Sequence, residues 1–236
     1  MLETHEASSL ASAQEVAQWR ERGRRLVFSS STPAGEETRL QALPEEEQPA
    51  DTIEEVILRR GSTRTFNPAA SITLAQLSTI LDRATRGLPA DFLEPGAQLN
   101  DVYLIAHSVD GLAPGTYFFH RERKTLEILK HGKFRAEAYR LGLEQQLPAD
   151  ACVDVFFLAD LNRLLEAYGN RGYRAVQLEA GAIGGKMYLA AYTLRLGASG
   201  LTFFDDEVVQ FFSPHAKEKS AIFLLAIGKP LKRKTD

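Results

Sequence analysis

Residues 173–196 constrain the fold more than any other part of the sequence. The segment is apolar almost all round at helical spacing, and a helix without a polar face is normally buried. Gly181, Gly184 and Gly185 lie near its centre, where each glycine costs about 1 kcal/mol of helix propensity relative to alanine. Small residues let another backbone come close, so the sequence predicts a long buried helix in tight contact with a second element.

The remaining patterns predict strands interspersed with shorter helices. Continuous apolar runs at 153–159 and 221–228 are typical of strands that are buried on both faces. Asp51 or Thr52 can cap a helix that ends at Arg59, and Thr73 can cap the next one. Further strands are predicted at 102–105, 116–120, 125–129 and 199–204, and further helices at 134–143 and 207–212. The predicted fold class is α+β, with one domain over residues 51–236.

The first fifty residues form an arm of different composition. Residues 11–26 have the spacing of a helix, whereas 29–49 contain serines, prolines and an acidic run with few large apolar side chains, which predicts a linker. Trp19 and Phe28 would be exposed on an arm that touched nothing. A docked arm and a disordered arm therefore both remain open for residues 1–50.

Cysteine content and charge exclude several classes of protein. Of 236 residues only Cys152 is a cysteine, which excludes internal disulfides and Cys-rich zinc sites and fits a reducing compartment. A net charge of −3 provides no global field for nucleic acid. Residues 1–18 lack the basic and apolar parts of an export signal, and no apolar run approaches the roughly 18 residues of a spanning helix. We expect a cytoplasmic protein without membrane or nucleic-acid partners.

Common catalytic motifs are missing from the sequence. The five histidines show no metal-ligand spacing, so no metal site is expected. There is no G-x-S-x-G elbow and no Walker loop, and the glycines at 181–185 lie within a helix instead of following a strand. These absences argue against a serine, cysteine or metal hydrolase.

The strongest local signal is the sequence R-R-G-S-T-R-T-F at 59–66. Arginine forks and a serine hydroxyl match phosphate oxygens, and Gly61 lets the backbone approach an anion. The alternative is a basic helix end that satisfies its own last carbonyl groups. Lys229, Lys232 and Arg233 follow the last apolar strand, and they either converge on the same anion or form a solvated tail.

Residues 196–206 carry a second signal. Gly197 and Gly200 interrupt an otherwise apolar strand, which indicates that a flat ligand lies against the backbone there. A bulge or a tight crossing within the sheet is the alternative explanation.

Together these segments resemble the FMN-dependent nitroreductase family, most closely its azoline-oxidase-like (SagB-type) branch. The family's R-R-x-S-x-R-x-F segment corresponds to 59–66, and its Y-R-x-x-x-L-E-A-G-x-I-G helix corresponds to 173–184. A family segment that begins L-G and ends F-D-D corresponds to 196–206, and a closing G-K-P corresponds to 228–230.

The resemblance implies an antiparallel-centred sheet flanked by helices, in an intertwined homodimer with one FMN at each subunit interface. Ping-pong transfer would run from NAD(P)H through FMN to a small electron-poor acceptor (a nitroaromatic or a quinone) or to a peptide heterocycle. The cofactor-binding residues it implies are Arg60, Gly61, Ser62 and Arg64 at the phosphate with Lys229, Lys232 or Arg233 assisting, and Gly96, Ala97, Gly200, Leu201 and Thr202 along the ring.

Two positions depart from the branch. Glu94 precedes the Gly96–Ala97 pair, and its charge would oppose an anionic reduced flavin if it pointed inward. Ala167 stands where azoline oxidases carry the lysine of a Lys-Tyr pair, which weakens the prediction of azoline oxidation. Tyr168 remains a candidate catalytic acid or an aromatic packed at a helix end. A catalytically weakened flavin-binding or scaffold homologue and a phosphate-ligand binder without flavin remain as alternatives.

Overall fold

The computed structural model of the protein describes residues 2–24, 33–94 and 96–231. Its strands are β1 (Glu37–Arg39), β2 (Ile72–Thr73), β3 (Asp101–Ala106), β4 (Val109–Asp110), β5 (Gly115–His120), β6 (Thr125–His131), β7 (Val153–Ala159), β8 (Gly197–Leu201) and β9 (Ser220–Gly228). Seven of them form one sheet in the order β1-β6-β5-β3-β7-β9-β8, and all neighbours in it are antiparallel. The two remaining strands, β2 and β4, form a short parallel pair.

The described helices flank this sheet. They are α1 (Leu2–Ala7), α2 (Ala13–Arg24), α3 (Ile53–Arg59), α4 (Leu74–Ala84), α5 (Arg135–Leu141), α6 (Gln146–Asp150), α7 (Leu161–Tyr168), α8 (Gly172–Thr193) and α9 (Asp205–Phe212). Thr52 caps α3 and Thr73 caps α4, each in a complete capping box, because these signals depend only on neighbouring residues. The predicted α+β class with an antiparallel central sheet is confirmed.

The central strand β7 separates two apolar cores. All of its residues are buried, as the unbroken apolar run predicted. Because strand side chains alternate between faces, Val155 and Phe157 join the core beneath α4 and α8, whereas Phe156 and Leu158 join the core beneath α5 and α9.

Helix α8 is buried on one side only. Gly184 packs against the ring of Phe223 in β9, where a Cβ atom would lie 2.5 Å from the nearest ring carbon. The helix is thus in tight contact with a second element, but through a side chain and not through the close backbone that the sequence predicted. The opposite side of the helix is exposed and includes Leu178, Gly181 and Gly185. Burial on every side, as the sequence predicted, is therefore wrong for the single chain.

The first fifty residues are docked where they are described. Trp19 is buried, and its Nε1–H donates to the carbonyl oxygen of Tyr168 at 2.8 Å, with its ring against Phe92. Within the predicted linker, Glu37–Arg39 pairs with β6 as strand β1, so the linker prediction is wrong for these residues. Phe28 lies outside the described residues, and the division of the chain at residue 50 stays a prediction.

Candidate functional site

The basic segment, residues 59–64, leaves the end of α3 and runs along the edge of the sheet. The backbone N–H of Thr63 donates to the carbonyl oxygen of Ala198 in β8 at 2.9 Å. The N–H of Asn67 donates to the carbonyl oxygen of Lys229, just after β9, also at 2.9 Å. The fold therefore brings together the three segments that the sequence singled out separately.

Two tyrosines of α8 contact the hydroxyl groups of the basic segment. The hydroxyl of Tyr192 lies 3.2 Å from the Oγ1 atom of Thr63, and that of Tyr188 lies 3.4 Å from the Oγ atom of Ser62. The backbone N–H of Gly200 also donates to the Tyr188 hydroxyl. Neither tyrosine was predicted from the sequence as a site residue. Their spacing of four in an otherwise apolar helix was the available signal, because a tyrosine hydroxyl in such a place usually has a polar partner.

The cations of the segment differ in what they contact. Arg59 donates to the Asp51 carboxylate at 2.9 Å, and hydrogen bonds from Arg59 and then Arg195 lower the pKa of that carboxyl. The Arg60 guanidinium lies over the Tyr188 ring, 5.4 Å from its centroid. Arg64 and Lys229 are exposed.

Three cations of this edge are therefore open to an anion. Within the described part of the chain, the side chains of Arg60, Arg64 and Lys229 make no hydrogen bond or ion pair with a protein group. Arg59, by contrast, is occupied by Asp51. Anion binding by these cations stays a prediction.

Strand β8 packs tightly at its start and opens at its end. A Cβ atom on Gly197 would lie 2.2 Å from the Oγ1 atom of Thr63, so only glycine allows this contact. Gly200 is exposed, Leu201 packs beside Phe66, and the Thr202 hydroxyl accepts from Gln145 at 3.3 Å. The tight crossing considered from the sequence is thus present at Gly197. At Gly200, which is exposed, a Cβ atom would lie 3.0 Å from the Phe223 ring, and the N–H already donates to the Tyr188 hydroxyl.

Gly96 and Ala97 lie at the other end of the sheet. The carboxylate of Glu179 holds their loop, residues 96–100, by accepting from the N–H of Leu99 at 3.0 Å and that of Asn100 at 2.8 Å. Gly96 has φ of 84°, a conformation that favours glycine. The basic segment lies beside the start of β7, whereas Gly96 lies beside its end, about 20 Å away at a typical strand rise. One chain does not bring these two predicted parts together.

Tyr168 occupies a structural position. Its hydroxyl donates to the carbonyl oxygen of Phe92 at 3.2 Å, its ring is buried against Trp19, and burial raises the pKa of the hydroxyl. These surroundings favour the alternative of an aromatic packed at a helix end, and a catalytic role for Tyr168 stays a prediction. Lys232 and Arg233 lie outside the described residues.

The described residues contain neither a metal-ligand cluster nor a helix that could cross a membrane. Over residues 2–24, 33–94 and 96–231, no group of three or more His, Cys, Asp or Glu side chains could hold a metal ion. In the same ranges, none of the helices has the length and apolar character that crossing a membrane requires.

Comparison with known proteins decides the family. The sequence profile of the Nitroreductase family matches residues 57–229, a range that includes the end of α3, both tyrosines and β9. The chain belongs to the nitroreductase family. A nitroreductase homologue, the protein MJ1384 of Methanocaldococcus jannaschii, is 26% identical over 185 residues, which cover 76% of this chain and 91% of the homologue.

Solved structures share the nitroreductase fold. A crystal structure from Anabaena variabilis, which also carries a nitroreductase name, has a TM-score of 0.73 at 24% identity and covers 94% of this chain. This chain spans only 49% of that protein, about half its length. A structure from Exiguobacterium sibiricum, described as a complex with FMN, has a TM-score of 0.57 at 13% identity and covers 78% of this chain and 91% of its own.

Proposed function

We propose that the protein is an FMN-dependent oxidoreductase that works as a homodimer. The observation that carries the proposal is that backbone hydrogen bonds bring the segments of Arg60, Arg64 and Lys229 to one edge of the sheet beside β8, and none of these three side chains has a carboxylate partner in the described chain. Family membership and the FMN-bound neighbour from Exiguobacterium sibiricum support the cofactor.

The residues of this edge fit the two ends of FMN. Phosphate oxygens match guanidinium forks, an ammonium group and the Ser62 hydroxyl, and residues 59–66 contain no Asp or Glu. The flat ring needs exposed backbone, and the exposed Gly200, whose N–H is held by the Tyr188 hydroxyl, supports its placement there. We assign Gly61, Leu201 and Thr202 to the same site as its backbone walls.

Bound FMN would supply hydride transfer, taking a hydride from NAD(P)H and passing it to an electron-poor acceptor in a ping-pong sequence. The chain's own residues bind and orient the cofactor. Tyr188 contacts the phosphate side through Ser62 and the ring side through the Gly200 N–H, so its hydroxyl sets the spacing between the two.

A homodimer would complete the site. On the outer side of α8, a Cβ atom added to Gly181 or Gly185 would contact nothing within 4 Å, and neighbouring Leu178 is 56% exposed. Glycines four residues apart let a second helix approach closely, so this stripe fits a second copy of the chain. The loop at 96–100, which lies far from the basic segment of its own chain, would then contact the flavin of the partner subunit.

We further infer that the acceptor is a small molecule and the location cytoplasmic. Ala167 cannot act as a general base, and the Tyr168 hydroxyl is engaged with Phe92, so both observations disfavour the azoline-oxidising branch. Cytoplasmic location rests on the single buried Cys152.

The visible absorption spectrum of the purified protein tests the cofactor. We expect a flavin spectrum as purified or after addition of FMN, and steady NAD(P)H oxidation with a nitroaromatic or quinone acceptor. A flavin spectrum without turnover would favour the scaffold alternative. Binding of a simple phosphate ester without a flavin spectrum would favour a phosphate-ligand binder that uses no flavin.

Light scattering tests the dimer. We expect twice the chain mass for the protein and a shift towards the monomer for Gly181→Glu, because the carboxylate would be buried in the stripe. Glu122→Gln, in an exposed turn, is the matched control and should leave the mass unchanged. A monomer that binds FMN normally would overturn the dimeric part of the proposal alone.

A further inference from the structure

Helix α2 carries a buried tryptophan, although most of its described residues are exposed. Trp19 is 6% exposed, and its ring centroid lies 5.4 Å from that of Phe92 and 5.4 Å from that of Tyr168. Its Nε1–H donates to the carbonyl oxygen of Tyr168 at 2.8 Å, and the Arg171 guanidinium lies 5.4 Å from its ring centroid. Both the ring and the N–H group of Trp19 are therefore fixed in place.

Two consecutive residues of α2 hold Asp91 and Phe92. Arg20 forms an ion pair with Asp91, and Trp19 packs on Phe92. The Tyr168 hydroxyl donates to the carbonyl oxygen of Phe92 at 3.2 Å, so the ring that Trp19 contacts also holds the backbone of Phe92. The Asp91 carboxylate is largely exposed, and an exposed ion pair contributes little to stability. The buried contact of Trp19 is therefore the stronger of the two.

A second anchor lies a few residues later, at the carboxylate of Glu179. It accepts from the backbone N–H groups of Leu99 and Asn100. Between the two anchors, Gly96 is exposed, and a Cβ atom added to it would contact nothing within 4 Å among the described residues. The chain thus holds Gly96 and Ala97 from both directions along the sequence and leaves Gly96 uncovered.

In the proposed function, on which this inference rests, the loop at 96–100 contacts the flavin of the partner subunit. We propose that Trp19 is a positioning residue for that flavin. Helix α2 of one subunit holds Gly96 and Ala97 against the FMN at the basic segment of the other, and Trp19 acts through Phe92 without touching the cofactor. The first fifty residues thereby serve a site that is completed in the partner subunit.

The expected effect follows from the population of loop conformations. A segment with few buried contacts opens locally while the core stays folded. The apparent affinity of a ligand falls in proportion to the fraction of molecules that hold the binding conformation. Loss of the Trp19 ring removes the contact of α2 with residues 91–94, whereas the anchor at Glu179 remains. Local opening should therefore start at residues 91–94 and weaken FMN.

Titration of the full-length dimer with FMN, followed by flavin fluorescence, measures this effect. Trp19→Ala should weaken FMN by about tenfold or more. Trp19→Phe keeps a ring beside Phe92 and Tyr168 and loses the N–H donor, so it should recover most of the affinity. Gln18→Ala, at an exposed position of the same helix, is the matched control and should leave the affinity unchanged. Unchanged affinity in Trp19→Ala would overturn the proposal.

Mixed dimers test whether Trp19 acts on the site of the partner. A dimer of one Trp19→Ala chain and one Arg64→Ala chain is purified through two different affinity tags. One of its sites combines an intact basic segment with the intact α2 of the other chain, and the second site carries both changes. We expect one site with the affinity of the parent in each mixed dimer and none in either parental variant. If Trp19 acted only on the site of its own chain, every site would carry one change, and the absence of a parent-like site would overturn the proposal.

Hydrogen exchange of the flavin-free protein separates a local effect from a general loss of fold. In Trp19→Ala we expect faster exchange at residues 91–94 and unchanged exchange in β7, and unchanged exchange in both would contradict the proposal. Where Trp19→Ala does not fold, Trp19→Leu leaves a smaller cavity and should give the same results. A parent dimer that binds no FMN would overturn the proposed function together with this inference. A parent that binds FMN no more tightly than the folded Trp19 variant would overturn this inference alone.

Discussion

The two ends of the central sheet hold their charges in opposite ways. Beside the start of β7, Arg64 and Lys229 are exposed, and hydroxyl and backbone groups hold only the segments that carry them. Beside its end, Glu179 and Arg121 are buried and oriented by N–H and carbonyl groups of residues 99–100. An exposed cation contributes little to folding and is available to a ligand, whereas a buried ion must be compensated within the fold. Substitutions at the first end should change binding, and those at the second should change stability.

The largest expected effect is that of Glu179→Ala. The change leaves the Arg121 guanidinium and the N–H groups of Leu99 and Asn100 without their acceptor, and it should lower the free energy of unfolding by about 3–5 kcal/mol. Urea denaturation followed by circular dichroism measures it. Glu122→Ala, in an exposed turn, should stay within about 0.5 kcal/mol of the parent. Similar small losses in both variants would contradict the structural role of Glu179.

At the opposite end, Arg64→Ala should affect binding instead. Loss of a charged contact with phosphate should weaken FMN by about 1.5–3 kcal/mol, with the free energy of unfolding of the flavin-free protein unchanged. Fluorescence titration of FMN gives the affinity, and Arg86→Ala serves as the charge-matched control. Unchanged affinity would remove Arg64 from the phosphate site.

Gly197→Ala should change both the free energy of unfolding and the affinity for FMN. The new Cβ atom would lie 2.2 Å from the Thr63 Oγ1 atom and should displace the basic segment, lowering the free energy of unfolding by about 1–3 kcal/mol and weakening FMN as well. Gly61 lies in the same segment, between Arg60 and Arg64. A Cβ atom there would lie 3.8 Å from the Tyr192 hydroxyl, so Gly61→Ala should be tolerated by the fold. Equal stability of the two variants would show that β8 and the segment adjust independently.

The smallest effect concerns pH. Asp154 is fully buried in β7 with one oxygen 2.9 Å from His107, and burial raises its pKa. An unfolded aspartate ionises near pH 3.9, so this group favours the unfolded state increasingly as pH rises from there through its folded pKa. In urea titrations as the pH rises from about 4, Asp154→Asn should therefore lose less stability, or gain more, than the parent. Parallel curves would contradict this, and Asp206→Asn, at an exposed position, should reproduce the parent curve.

Local signals in the sequence predicted the elements well. The capping boxes at Thr52 and Thr73 need only residues three positions apart, and the apolar run of β7 reports its own burial. The basic segment and β8 were also recognised, because their composition is unusual for their positions. Each of these features is written in a few consecutive residues.

Features that depend on distant partners were not predictable in the same way. Strand β1 has no apolar pattern of its own and exists because it pairs with β6, some ninety residues later. Tyr188 and Tyr192 reach the basic segment only through the packing of α8, and Glu179 meets the loop at 96–100 across about eighty residues of sequence. Composition alone gives no register for such contacts.

Strand β1 also affects how the protein behaves in concentrated solution. It is three residues long and polar, and it pairs with the first three residues of β6 on the outer edge of the sheet. A short charged edge is a poor template for a strand of another molecule, whereas a bare seven-residue edge is a good one. Removal of the first fifty residues would therefore convert the closed side of the sheet into a surface that aggregates, even if the flavin site remained intact.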